Sequence, residues 1–122
     1  MDQEVLVKEA QALTGALDGT KIAPRAVMIA ISSETGNWKV WIVPQRDDIN
    51  KQEFYRIIAE KISCSGLMNI DVGSVELRTS TNPAIIGMSK FLRMKGIGNA
   101  HFSNNVFNGV LLPDGIVIRM AV

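Results

Sequence analysis

The segment Arg78-Thr79-Ser80-Thr81-Asn82 places one guanidinium, three hydroxyls and a short amide side chain directly ahead of Pro83. Asn82 has the side chain of an N-cap and Pro83 the preset φ of a first helical position, so a helix is expected to open here. Helix N-termini carry unpaired amides and the positive end of the dipole. Arg78, Ser80, Thr81 and Asn82 are therefore the candidate binding set for an anion or small ligand, with Ala84 and Ile85 supplying backbone donors. The same residue types also build an ordinary turn and cap. Lys90, Arg93 and Lys95, further along, complement a helix C-terminus without any ligand.

His101 and Cys64 are the sole histidine and the sole cysteine. A zinc site would need at least two carboxylates besides them, and no paired-ligand spacing offers these. Asp47-Asp48 with Asn50 and Glu53 lacks the EF-hand spacing and is explained by the positive end of a helix dipole. No metal or cofactor is expected. His101 could act as a general base if Asp71 or Asp114 oriented it toward Ser103, yet nothing in the spacing brings these together, so no catalytic residue is nominated. Phosphate-binding loops need glycines between a strand and a helix, whereas Gly96-Ile97-Gly98 follows a helical pattern and reads as its C-cap. Asn99, His101, Ser103, Asn104, Asn105 and Asn108 read as turn residues, with a polar pocket as the alternative.

Positioning these residues requires elements, and periodicity supplies them. Leu6, Ala10, Leu13 and Leu17 recur with helical spacing up to Asp18-Gly19. Val27, Ile29 and Ile31 alternate with Met28 and Ala30, a run apolar on both faces that predicts a central strand. Ser33-Glu34-Thr35-Gly36 has turn chemistry, so Trp38 to Val43 is expected to pair back on that strand as an antiparallel hairpin. Trp38 and Trp41 fall on opposite faces, predicting one in the core and the other at a covered or partner-contacting surface. Ile49-Asn50-Lys51-Gln52-Glu53-Phe54 reads as a capping box with a hydrophobic staple opening a second helix, stopped at Ser63 to Gly66 with Cys64 as a small filler. Val72, Val75 and Leu77 suggest a short strand. The third helix, from Pro83, is expected to reach about Met94. Val110-Leu112 and Ile116-Ile118 around Pro113-Asp114-Gly115 read as a terminal hairpin, and Phe102 to Phe107 as an additional strand.

The order is then α-β-β-α-β-α-(β)-β-β, predicting an α+β fold with a mixed, mainly antiparallel sheet and helices largely on one face. Its 122 residues suit one globular domain spanning 1–122. The 47% hydrophobic content rules out a disordered chain. The longest apolar stretch, Ala26 to Ile31, is far short of a membrane span, and the start Met-Asp-Gln-Glu lacks the basic region of a signal peptide, so a soluble cytoplasmic protein is expected. Net charge is +1, with 8 basic and 9 acidic residues up to position 61 and 5 basic and 3 acidic after it. Such a gradient is too shallow to focus cations on a phosphate backbone, and no aromatic-basic signature of an RNA platform occurs, so nucleic acid is not an expected partner.

Three functional readings follow in order. Six Met, two Trp and a hairpin apolar on both faces exceed what one small core needs. The first reading is therefore a non-enzymatic interaction or regulatory domain that binds another protein, with Trp41 as the interaction residue and a two-fold homodimer expected. The second is small-molecule or anion binding by the Arg78 to Asn82 loop. The third is an enzyme with a site around His101.

Overall fold

A strand apolar on both sides must be covered on both sides, and this requirement organises the molecule. The computed structural model describes residues 3–32, 34–103, 106, 107, 109–111 and 114–122. In it β1 (Pro24–Ile31) is the middle strand of a five-stranded sheet ordered β3-β2-β1-β7-β4. β2 (Trp38–Pro44) returns antiparallel to β1 through the expected hairpin, with Ile29 opposite Val40 and Ile31 opposite Trp38. β7 (Asp114–Met120) runs antiparallel along the other side of β1, and β4 (Ala100–Phe102) antiparallel along β7. Only β3 (Val75–Leu77) is parallel to its neighbour, β2. The fold is α+β with a mixed, mainly antiparallel sheet.

The amphipathic helix α1 (Gln3–Leu17) buries Leu6, Ala10, Leu13 and Leu17, the stripe read from its spacing. It packs with α2 (Lys51–Ser65) over Val27, Ile29, Val40, Ile42, Ile116 and Ile118. α3 (Pro83–Phe91) covers the opposite face instead. Its Ile85 and Met88 pack there with Ala26, Met28, Val43, Val117 and Met120. Two helices thus share one face, and the third serves the far side of the doubly apolar β1. Arg119 of β7 clamps the end of α1 to the sheet, donating through both terminal nitrogens to Asp18 at 2.6 and 3.0 Å.

At the start of α2, Asn50 Oδ1 accepts the Glu53 amide at 3.0 Å. Glu53 does not complete the capping box. Its carboxylate turns outward to Lys21 and Arg56, because two cations offer more than one further amide. Asn50→Ala should still cost about 1 kcal/mol in chemical denaturation, since the remaining bond is the one that saturates an orphan N–H. Gly66 ends the helix in the left-handed conformation (φ 66°), accepting the role the sequence gives it. Cys64 is exposed, so it fills no space at that end.

Several expectations near the C-terminal half are corrected. Val72 lies in a single 3-10 turn, Val72–Ser74, capped by Asp71, and only Val75–Leu77 form the strand. α3 ends at Phe91, three residues before Met94. There the chain turns extended, and Met94 bridges Met120 by reciprocal backbone bonds of 2.7 and 2.8 Å. Gly96-Ile97-Gly98 is therefore no helix cap; the Gly98 amide donates to Ile118 along the sheet edge. Among the described residues the two arms of the expected terminal hairpin do not pair with each other. β6 (Val110–Leu111) pairs with β5 (Val106–Phe107) in a separate ribbon, while β7 pairs with β1 and β4. Of the expected turn Pro113-Asp114-Gly115, Asp114 and Gly115 open β7, while Pro113 and the preceding Leu112 lie outside the described residues, as do Asn104, Asn105 and Asn108. Local turn chemistry loses here to the much larger apolar surface that β7 buries between two strands. Neither Trp is fully buried: Trp38 packs at the margin of the α1–α2 core and Trp41 at the margin of the α3 side.

Candidate functional site

The loop before α3 forms as the residue types require. Asn82 Oδ1 accepts the Ala84 and Ile85 amides at 2.9 and 3.3 Å, and Pro83 occupies the first turn. The two amides nominated as ligand donors are thus taken by the cap itself. Ser80 donates its amide (2.9 Å) and its hydroxyl to Asp47, and the Thr79 and Thr81 hydroxyls bond each other at 2.9 Å. Arg78 donates to Glu76 at 3.0 Å, while its Nε is buried without a partner among the described residues. The loop does hold an anion, but it is the chain's own carboxylate. An external anion would have to displace Asp47, which Arg25 also holds at 2.7 Å.

The Ser80 hydroxyl and amide, with Arg25, hold the Asp47 carboxyl below its ordinary pKa. The Arg119 hydrogen bonds do the same for Asp18, against the opposing effect of its partial burial. A carboxylate whose pKa is lowered by folding contributes stability above its unfolded pKa and loses it as pH falls through the folded one. Denaturation midpoints should therefore decline below about pH 4, and Asp18→Asn and Asp47→Asn should each flatten that decline. An acid limb unchanged in both variants would place the linkage elsewhere.

The Arg78 side chain belongs to a different arrangement. Its guanidinium carbon lies 4.8 Å from the centre of the Trp41 ring, and the Trp41 indole N–H donates to Glu76 at 3.2 Å. β2–β3 pairing sets Trp41 opposite Glu76 and brings Arg78, just past β3, onto the same surface. Trp41, Glu76 and Arg78 form a closed triangle of hydrogen bond, ion pair and cation–π contact, which fixes the indole orientation. Beside it lies an open, mainly apolar groove of about 230 Å³, lined by Ala30, Ile31, Lys39, Trp41 and Glu76 among others.

His101 is exposed on β4, a sheet edge, and not in a turn. Asp71 precedes β3 at the opposite edge and bonds Ser74, so it cannot orient His101. Among the described residues no group of three His, Cys, Asp or Glu side chains is placed to hold a metal ion. His101 instead lines a cavity with Asn99, Ile116 and the first turn of α1. Asn99 and His101 of the amide-rich run thus line the same cavity.

Sequence reasoning nominated Trp41 and Arg78 separately and missed Glu76, which joins them. A charged residue between Val75 and Leu77 in a short strand was the available signal, but its partner depends on the parallel register with β2. Asp47 was likewise read only as a helix-dipole acid, although its partner lies 33 residues away. No protein-family model, curated protein or solved structure matches this chain.

Proposed function

We propose that this domain acts by binding another protein through the face that carries Trp41. The observation that supports this reading is the half-buried indole held by Glu76 and Arg78 at the rim of the 230 Å³ groove. An aromatic anchor fixed before binding loses little conformational entropy on contact, and such residues concentrate interface energy. The groove lies on the α3 side of the sheet, where Ala30 and Trp41 mark the margin of the packed cluster. Its apolar floor suits an inserted aliphatic or aromatic side chain, and Lys39 and Glu76 at the rim suit polar flanks of either sign.

The test is selection of displayed peptides on the wild-type domain with counter-selection on Trp41→Ala. Enriched sequences should share an apolar anchor and should shift the emission of Trp41 when Trp38→Phe leaves it as the sole indole. Enrichment that survives on Trp41→Ala removes this face from the reading. Self-association as a two-fold dimer is its homotypic form. Sedimentation should then show a dimer that dissociates in Trp41→Ala, and a wild-type monomer at high concentration would eliminate the homotypic form.

A further inference from the structure

Arg25, Arg46, Arg56, Arg78 and Arg119 each pair with a carboxylate. Arg93 takes part in no ion pair among the described residues, and neither do its neighbours Lys90 and Lys95. All three are exposed. No Asp or Glu occurs between Glu76 and Asp114, so no carboxylate close in sequence can answer them. A helix C-terminus accounts for Lys90, which stands in the last turn of α3. The helix ends at Phe91, however, and the influence of its dipole fades within that turn, so Arg93 and Lys95 lie beyond it.

The same stretch carries apolar surface. Ile85 and Met88 of α3 face the sheet, leaving Ile86 37% and Phe91 56% exposed. Ile86 and Lys90 stand one helical turn apart, and Phe91 adjoins Lys90. Past the helix, Leu92 and Met94 pack against the α3-side core, while Arg93 and Lys95, which alternate with them, are exposed. The outer surface from 86 to 95 thus interleaves two large apolar side chains with three cations.

Three cations are fewer than the roughly four to eight that gather a protein onto an anionic bilayer. A phosphate backbone, in turn, offers no apolar counterpart to Ile86 and Phe91. A polypeptide supplies both kinds of group. We propose that the outer surface of α3, continued to Lys95, binds an acidic polypeptide segment in which carboxylates flank apolar side chains. The carboxylates pair with Lys90, Arg93 and Lys95, with the Arg93 guanidinium able to take one of them through two nitrogens, and an apolar side chain covers Phe91 and Ile86. None of these residues lines the Trp41 groove, so this surface does not rest on that reading.

The probe is a fluorescein-labelled peptide in which pairs of Glu flank single Leu residues, titrated with the full chain and read by anisotropy. Its controls carry Gln in place of Glu, or Ser in place of Leu. The acidic peptide should bind saturably and more weakly as salt rises, and each control should bind about tenfold more weakly or not at all. Arg93→Glu and Lys95→Glu should each weaken the acidic peptide tenfold or more at an unchanged denaturation midpoint. Lys51→Glu makes the same charge change at an exposed position on α2, across the sheet, and should leave affinity within about twofold. Nitrogen-15 NMR should find the largest amide shifts in residues 86 to 95. No saturable binding, equal binding of the Gln peptide, shifts centred on the Trp41 groove, or wild-type affinity in Arg93→Glu would each overturn the assignment. So would tighter association with phosphatidylserine vesicles or duplex DNA than with the peptide.

Discussion

Replacing Gly115 with Ala is expected to destabilise the domain by about 3 kcal/mol, the cost of forcing atoms into a closed core. Gly115 sits near the start of β7, flanked by Ala30 on β1 and Phe102 on β4, and is buried. A Cβ built there would land on the backbone carbonyl oxygen of Ile29 and come within 2.9 Å of the Met28 methyl carbon. The methionine end can swing away, but the carbonyl belongs to the central strand and cannot move without disturbing two ladders. Gly96→Ala is the matched control, because a Cβ there meets nothing within 4 Å. Its effect should stay within about 0.5 kcal/mol. Denaturant titration of both variants decides the matter, and similar small losses would show that β7 does not approach β1 as closely as described.

Phe54→Ala should cost about 3 to 5 kcal/mol. Phe54 is fully buried, 0% exposed, on the first turn of α2, and joins the core built by α1, α2 and the sheet. Its ring meets Tyr55 edge-on, with centroids 5.0 Å apart. Tyr55 in turn accepts the Leu77 amide at 3.1 Å, so the cavity left by Phe54 lies next to the contact that ties α2 to β3. Beyond the global loss, this variant should expose the amide of Leu77 to faster hydrogen exchange than Asn50→Ala does. A loss near 1 kcal/mol with unchanged exchange would mean that the surroundings collapse into the space.

The two variants also separate what kinds of information the chain carries. Phe54 is legible from sequence because the signals are local: an N-cap four residues before it and Ile57, Ile58 and Ile62 at helical spacing after it. Gly115 is not, because Pro113-Asp114-Gly115 reads as a turn, and only the approach of Ile29 from another strand makes the glycine obligatory. The same division runs through the candidate sites. Asn82 and Pro83 declare a helix start, and the start is where they place it. That Asp47 would take the Ser80 donors of the preceding loop could not be read, since this partner lies 33 residues away in the chain.

By itself, then, the amino-acid order determined the three helices, the first hairpin and the doubly apolar strand that must lie in the middle of a sheet. Each depends on interactions within a few residues, where periodicity and caps act on their own. The tertiary structure alone decided that β7 inserts beside β1, that α3 crosses to the far face, and that Trp41 meets Glu76 and Arg78. It also set His101 across a slot from α1. Those outcomes depend on strand order and register, and strand pairing is chosen by total buried surface, a quantity that belongs to the whole chain rather than to any stretch of it.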